Sequence, residues 1–169
     1  MNICQTIETA FDGVGYPGDR NIIHCGCPVC RRIIDHFRGT TWRDHDLASL
    51  QKHQLAVSLF TPEAFQFFLP AYMIRSQGAW LDTCLIPFLL TKQFLPPAAG
   101  ENAAKEAHYV RRSTAFSPAQ RQAIVGYLRE YAASGTALVA EDVTRAIAAL
   151  EGPMPTLSPQ AAAVPSRPH

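Results

Sequence analysis

Wherever the apolar residues of this chain recur with a period, the period is that of an α-helix. Ile3, Ile7, Ala10 and Phe11 stand at i, i+4, i+7 and i+8, the stripe of a helix with one buried side. Val143, Ala146, Ile147 and Leu150 stand at i, i+3, i+4 and i+7 near the other end, and Ile124, Val125, Leu128 and Ala132 form a stripe between them. No series of alternating five-residue patterns, which half-buried strands require, is present. The expected fold is therefore mostly α, a single-domain irregular helical bundle over residues 1–151.

Start and stop signals divide the chain. Thr61-Pro62-Glu63 joins a capping hydroxyl, a proline whose missing N–H costs nothing in a first turn, and a carboxylate near the positive end of the helix dipole. Ser117-Pro118 repeats the device, and Pro28 suits the first position of a helix whose Val29, Ile33 and Phe37 share a face and which Gly39 stops. Asp44 or Asp46 caps a short helix carrying Leu47 and Leu50. The helix from Thr61 is expected to run through Phe68 and to kink or break at Pro70, and Trp80 to Phe94 to be helical around Pro87. Two stretches are less regular: Gln54 to Phe60 fits helix or strand, and Glu101 to Phe116 has no clean period and is expected to be a surface loop. Beyond Glu151, Pro153, Pro155, Pro159, Pro165 and Pro168 lie among Ala and Ser. That composition predicts a disordered Pro/Ala-rich tail over residues 152–169.

With 169 residues, 47% of them hydrophobic and 17% charged, the chain can bury a full core. Lys and Arg number 15 against 14 Asp and Glu, a net charge of +1, so no long-range field draws nucleic acid or an acidic membrane surface. The doublets Arg31-Arg32 and Arg111-Arg112 lack interleaved aromatics and read as solvated faces. The longest apolar run, Cys84 to Leu90, falls far short of the roughly 20 residues of a membrane helix and reads as a core segment. The start Met1-Asn2-Ile3-Cys4-Gln5 has neither a basic nor an apolar leader region, which predicts a cytoplasmic protein.

Chemistry concentrates in one place, His24-Cys25-Gly26-Cys27-Pro28-Val29-Cys30, which holds three of the five cysteines. Cys27 falls near the cap of the second helix and Cys30 one turn in, so their sulfurs face one point, and Cys25 is the natural third ligand of a zinc ion. His24 is the adjacent fourth candidate, although neighbours in an extended segment point to opposite sides. Cys4, His45, His53 and Cys84 are distant candidates; His36, six residues beyond Cys30, lies about 9 Å along the axis and is a poor one. Bound zinc would tie the loop after Gly18 to the second helix, a loop for which the sequence offers no other anchor. A second reading is a redox pair, since Cys27-Pro28-Val29-Cys30 resembles the Cys-Pro-x-Cys of glutaredoxin-like proteins; that fold needs a central sheet, for which only Asn21-Ile22-Ile23 is at hand. The third is that the thiols are idle.

Trp42-Arg43-Asp44-His45-Asp46 mixes an imidazole with two carboxylates but also makes a good helix entry with an aromatic anchor. No phosphate loop, nucleophile elbow or His-Glu-x-x-His occurs, so no enzymatic activity is expected.

Phe37-Arg38-Gly39-Thr40-Thr41-Trp42 and Thr61-Pro62-Glu63-Ala64-Phe65-Gln66-Phe67-Phe68-Leu69-Pro70-Ala71-Tyr72 carry a resemblance across most of residues 2–133. The chain resembles a family of small bacterial domains of uncharacterised function, with a Gly-x-x-Trp step and a Thr-Pro-x-Ala-Phe-x-x-x-Leu-Pro-Ala-Tyr block. The resemblance implies no reaction. It hints at immunity proteins, small domains that each neutralise a neighbouring toxin, and so at a protein partner. The aromatic block itself reads as core.

Overall fold

Side-chain caps set most of the helix starts in the computed structural model, which describes residues 2–83, 85–98 and 101–162. Helix α1 (Ile3–Phe11) opens with a closed capping box between Asn2 and Gln5. Helix α2 (Pro28–Phe37) opens on Cys27, whose sulfur stands where a capping oxygen usually does, and Gly39 just past its end takes φ 66°, which favours glycine. Asp46 caps α3 (Leu47–Lys52) through the Ser49 N–H at 2.8 Å. The ambiguous stretch before Thr61 is helical, α4 (Ala56–Leu59). Thr61 caps α5 (Pro62–Ser76), and after α6 (Leu85–Gln93) and α7 (Ala103–Thr114) Ser117 caps α8 (Pro118–Ala133). The chain ends in α9 (Ala140–Glu151) and the single turn α10 (Pro159–Ala162). Single 3-10 turns lie at Asp19–Asn21 and Trp42–Asp44. No strand occurs among the described residues.

Helix α5 is the hub. Phe65, Phe67, Phe68, Leu69, Pro70, Ala71, Tyr72 and Met73 are all buried, so the helix is apolar on every side, as a helix enclosed by others must be. That enclosure also explains why Pro70 does not break it: the helix continues to Ser76. Burying this many large side chains at about 25 cal/mol per Å2 outweighs the roughly 3 kcal/mol an interior proline costs. Helices α1, α3, α6 and α7 pack on α5, with α8 against α1 and α9 against α8. One aromatic group joins Phe37, Phe60 and Phe68 at 4.9–5.4 Å between ring centres; Phe65, Phe94 and Phe116 form another at 5.8–6.0 Å.

Several expectations need correction. Residues 103–114 are helix rather than loop; the stripe was invisible because the buried side of α7 is Ala107, Val110, Arg112 and Ser113. Arg112 is accordingly no solvated cation. It is 1% exposed, and its guanidinium lies 4.2 Å from the centre of the Phe65 ring. It donates to the carbonyls of Val57 at 2.9 Å and Phe60 at 2.8 Å, and to Gln93 Oε1. A fixed fork thus satisfies carbonyls at the end of α4. Val29 is half exposed, and Cys30 takes its place on the buried face of α2 with Ile33 and Phe37. Trp80 precedes α6 in a turn instead of opening the helix. Further along the chain, Ser158 donates from N and Oγ to the Glu106 carboxylate at 2.8 and 3.0 Å, and Ala161 is buried. Residues 163–169 lie outside the described residues.

Candidate metal centre

The three sulfurs are brought together by the start of α2. An extended Cys27 (φ −68°, ψ 160°) directs its side chain back over the first turn, where Sγ accepts the Cys30 N–H at 3.5 Å. One step earlier, the Cys27 N–H donates to Cys25 Sγ at 3.4 Å. The sulfurs of Cys25, Cys27 and Cys30 consequently all lie within 4.8 Å of one another. Zinc–sulfur bonds of about 2.3 Å in a tetrahedron put sulfurs about 3.8 Å apart, so closure needs shifts of about 1 Å or less. Three soft donors fit a thiophilic ion such as zinc, with no fourth supplied by the described residues.

No other donor among the described residues joins them. His24 turns its Nε2 to Asn21 Oδ1 at 3.0 Å. His45 and His53 stand elsewhere, as described below; Cys84 lies outside the described residues.

The three thiols differ. The Cys30 N–H and the neighbouring Cys25 and Cys30 side chains lower exposed Cys27 to about 7. Burial, together with hydrogen bonds to Cys25 and Cys27, raises Cys30 to about 12. The exposed Cys27 is thus biased towards thiolate and the buried Cys30 towards thiol.

The preceding loop has anchors the sequence did not reveal. Tyr16 OH donates to Asp19 Oδ1 at 2.6 Å and accepts the Gly39 N–H at 2.8 Å, while its ring meets Phe67 edge-on at 5.5 Å. Thr61 donates from Oγ1 to the Asn21 carbonyl at 2.6 Å and from N to the Ile22 carbonyl at 3.0 Å. Ile22 and Ile23 are buried. Protein contacts alone therefore hold the loop to α2 and α5.

A second cluster of titratable groups escaped the sequence because its members come from separate elements. The His36 ring stacks on His53 at 4.2 Å and lies 5.1 Å from His45, and Phe37 and Phe68 close the group. His45 is 3% exposed. Thr40 Oγ1 donates to the Phe37 carbonyl at 2.9 Å, so His45 Nε2, 3.0 Å away, carries the hydrogen donated to that hydroxyl. Burial, then the His36 charge, lowers His45 to about 4, and burial also lowers His36 and His53. His36 Nε2 is buried with no hydrogen-bond partner among the described residues. Near-parallel stacking of His36 on His53, at 21°, does not point two ring lone pairs at one ion; the cluster is neutral packing. Asp44 and Asp46 act as caps, Asp44 accepting from Thr41 N and Oγ1, which confirms the helix-entry reading of that segment. A cleft of about 550 Å3 near Tyr16 has Glu63 as the one charged side chain on its wall.

Fold and site together define an all-α domain with a three-thiol cluster that is able to hold a metal ion. The chain belongs to a family of unknown function, DUF6714, whose model matches residues 31–150. The match begins just after Cys30, so the cysteine cluster precedes it. No curated protein and no solved structure matches the chain. No helix among the described residues is long and apolar enough to cross a membrane.

Proposed function

We propose that this is a non-enzymatic, cytoplasmic protein-binding domain that carries one zinc ion on Cys25, Cys27 and Cys30. The observation that supports binding is a set of exposed leucines: Leu55 and Leu59 before and in α4, with Leu81 and Leu85 before and in α6, at 58%, 38%, 78% and 38% exposure. Gln93 Nε2 reaches Ser58 Oγ at 3.1 Å and Gln51 Nε2 reaches the Asp82 carbonyl at 2.9 Å. These bonds tie α6 to α4 and the turn at Asp82 to α3, which directly precedes α4, and exposed apolar side chains on neighbouring elements mark partner sites. Neutralisation of a toxin encoded nearby is the most concrete version of this role. Coexpression of the full chain with the products of neighbouring genes tests it: one product copurifies, and Leu81→Glu abolishes the complex without changing helicity. A chain that binds none of them contradicts the toxin version.

A second reading, a thiol–disulfide redox protein, is favoured by a specific contrast: the exposed Cys27 thiol is lowered to about 7 while its buried neighbour Cys30 is raised to about 12. An attacking and a resolving thiol differ in this way. A reversible Cys27–Cys30 bond in mild oxidant, lost in Cys27→Ser, would support it.

A further inference from the structure

The donor count at the cysteine cluster is three, all sulfur, with no fourth donor among the described residues and His24 turned to Asn21. Zinc in such a site must complete its tetrahedron from beyond the described residues. A trivalent arsenic centre needs no such completion, because three bonds fill its coordination and its lone pair occupies the fourth direction. The loop that carries Cys25 and Cys27 is also anchored without a metal, through Tyr16, Thr61, Ile22 and Ile23, so an ion here is not required to fasten it.

From this donor set we infer that Cys25, Cys27 and Cys30 form a three-coordinate thiophilic site that captures trivalent arsenic from its neutral hydroxide. The inference rests on the reading of these three thiols as one donor set and deepens it. Access and floor both suit the role. Cys27 is exposed and Cys25 half-buried, so the incoming centre meets them first; Cys30, 2% exposed, closes the base. A Cβ placed on Gly26 would touch nothing within 4 Å, leaving the loop room to draw the sulfurs together. In the reaction, As(OH)3 and three thiols give As(SR)3 and three waters. Three As–O bonds break, three As–S bonds form, each thiol proton leaves on a departing hydroxide, and arsenic remains trivalent. No oxidant or reductant takes part.

The test uses the full chain in a Cys4→Ser, Cys84→Ser background, kept reduced by a phosphine and titrated with sodium arsenite. Sulfur-to-arsenic ultraviolet absorption, free-thiol count and intact mass are read together, on samples with and without preloaded zinc. The expected result is one arsenic per chain, three thiols consumed, release of any bound zinc, and at least a tenfold weakening in each of Cys25→Ser, Cys27→Ser and Cys30→Ser. Circular dichroism confirms that each variant is folded. Consumption of only two thiols, with Cys25→Ser binding as tightly as the parent, overturns the inference. A protein that holds one zinc yet takes up no arsenic also overturns it and leaves the zinc reading standing. Three-thiol arsenic capture by a protein that holds no zinc sustains the inference and removes zinc.

Discussion

Acidification from about pH 7 to about pH 4.5 is expected to weaken the fold through His45. Burial lowers this imidazole from 6.5 to about 4, so in the folded state it stays neutral across most of that interval. The unfolded chain binds the proton as pH falls through 6.5 and is stabilised relative to the fold. Stability therefore declines as pH falls from about 6.5 and levels off below the folded value near 4. At about 1.36 kcal/mol for each unit of separation, the loss between about pH 7 and about pH 4.5 is about 2.5 kcal/mol. His36 and His53 are lowered in the same direction and add to it. Asp44, Asp46 and Glu101, held below their usual values by local hydrogen bonds, lose their contributions as pH falls through the carboxylate range, so wild type must be compared with His45→Gln. The glutamine amide donates to Thr40 in place of the imidazole N–H, at a cost of about 1 kcal/mol at neutral pH. Urea unfolding of chelator-treated protein at several pH values gives both curves. The variant is expected to lose about 2.5 kcal/mol less than wild type over the interval. Parallel curves, or a His45 ring that titrates near 6.5 by NMR, would refute the argument.

Other outcomes follow from buried contacts. Arg112→Met leaves the Val57 and Phe60 carbonyls without their donor and is expected to cost about 4 kcal/mol in urea unfolding, with Arg112→Lys near half of that because a single ammonium cannot span both carbonyls. Gly126 on α8 meets α1 so closely that a Cβ would stand 2.7 Å from Ile3 Cδ1. Gly126→Ala is expected to change thermal stability by less than about 1 kcal/mol, since the end of the Ile3 side chain can move and alanine favours helix. Gly126→Leu is expected to cost about 2 kcal/mol or more by overpacking.

Local grammar was the legible part of this fold. Thr61-Pro62, Ser117-Pro118 and Cys27-Pro28 each announce a helix start, and the structure has a cap at all three. What escaped depends on tertiary burial. Helix α7 hides its inner face behind Ala107 and Arg112, residues whose types do not signal burial, and Pro70 survives inside α5 because the surroundings of that helix outweigh a local penalty. Val29 and Cys30 exchanged sides because the apolar count alone does not set the rotation of α2. The Cys25, Cys27 and Cys30 cluster was readable because its members are five residues apart at most. His36, His45 and His53 meet only when α2 and α3 fold back on α5, and the bond of Tyr16 to the Gly39 N–H likewise joins segments distant in sequence.

The central claim, that three cysteines act as one metal-binding set, is tested most directly by zinc content and free-thiol count on one sample of full chain purified under reducing conditions. One zinc per chain is expected, with three thiols shielded until a chelator frees them and with zinc lost in Cys25→Ser, Cys27→Ser and Cys30→Ser. A metal-free protein that fails to take up added zinc, with all its thiols equally reactive in the folded state, would contradict it.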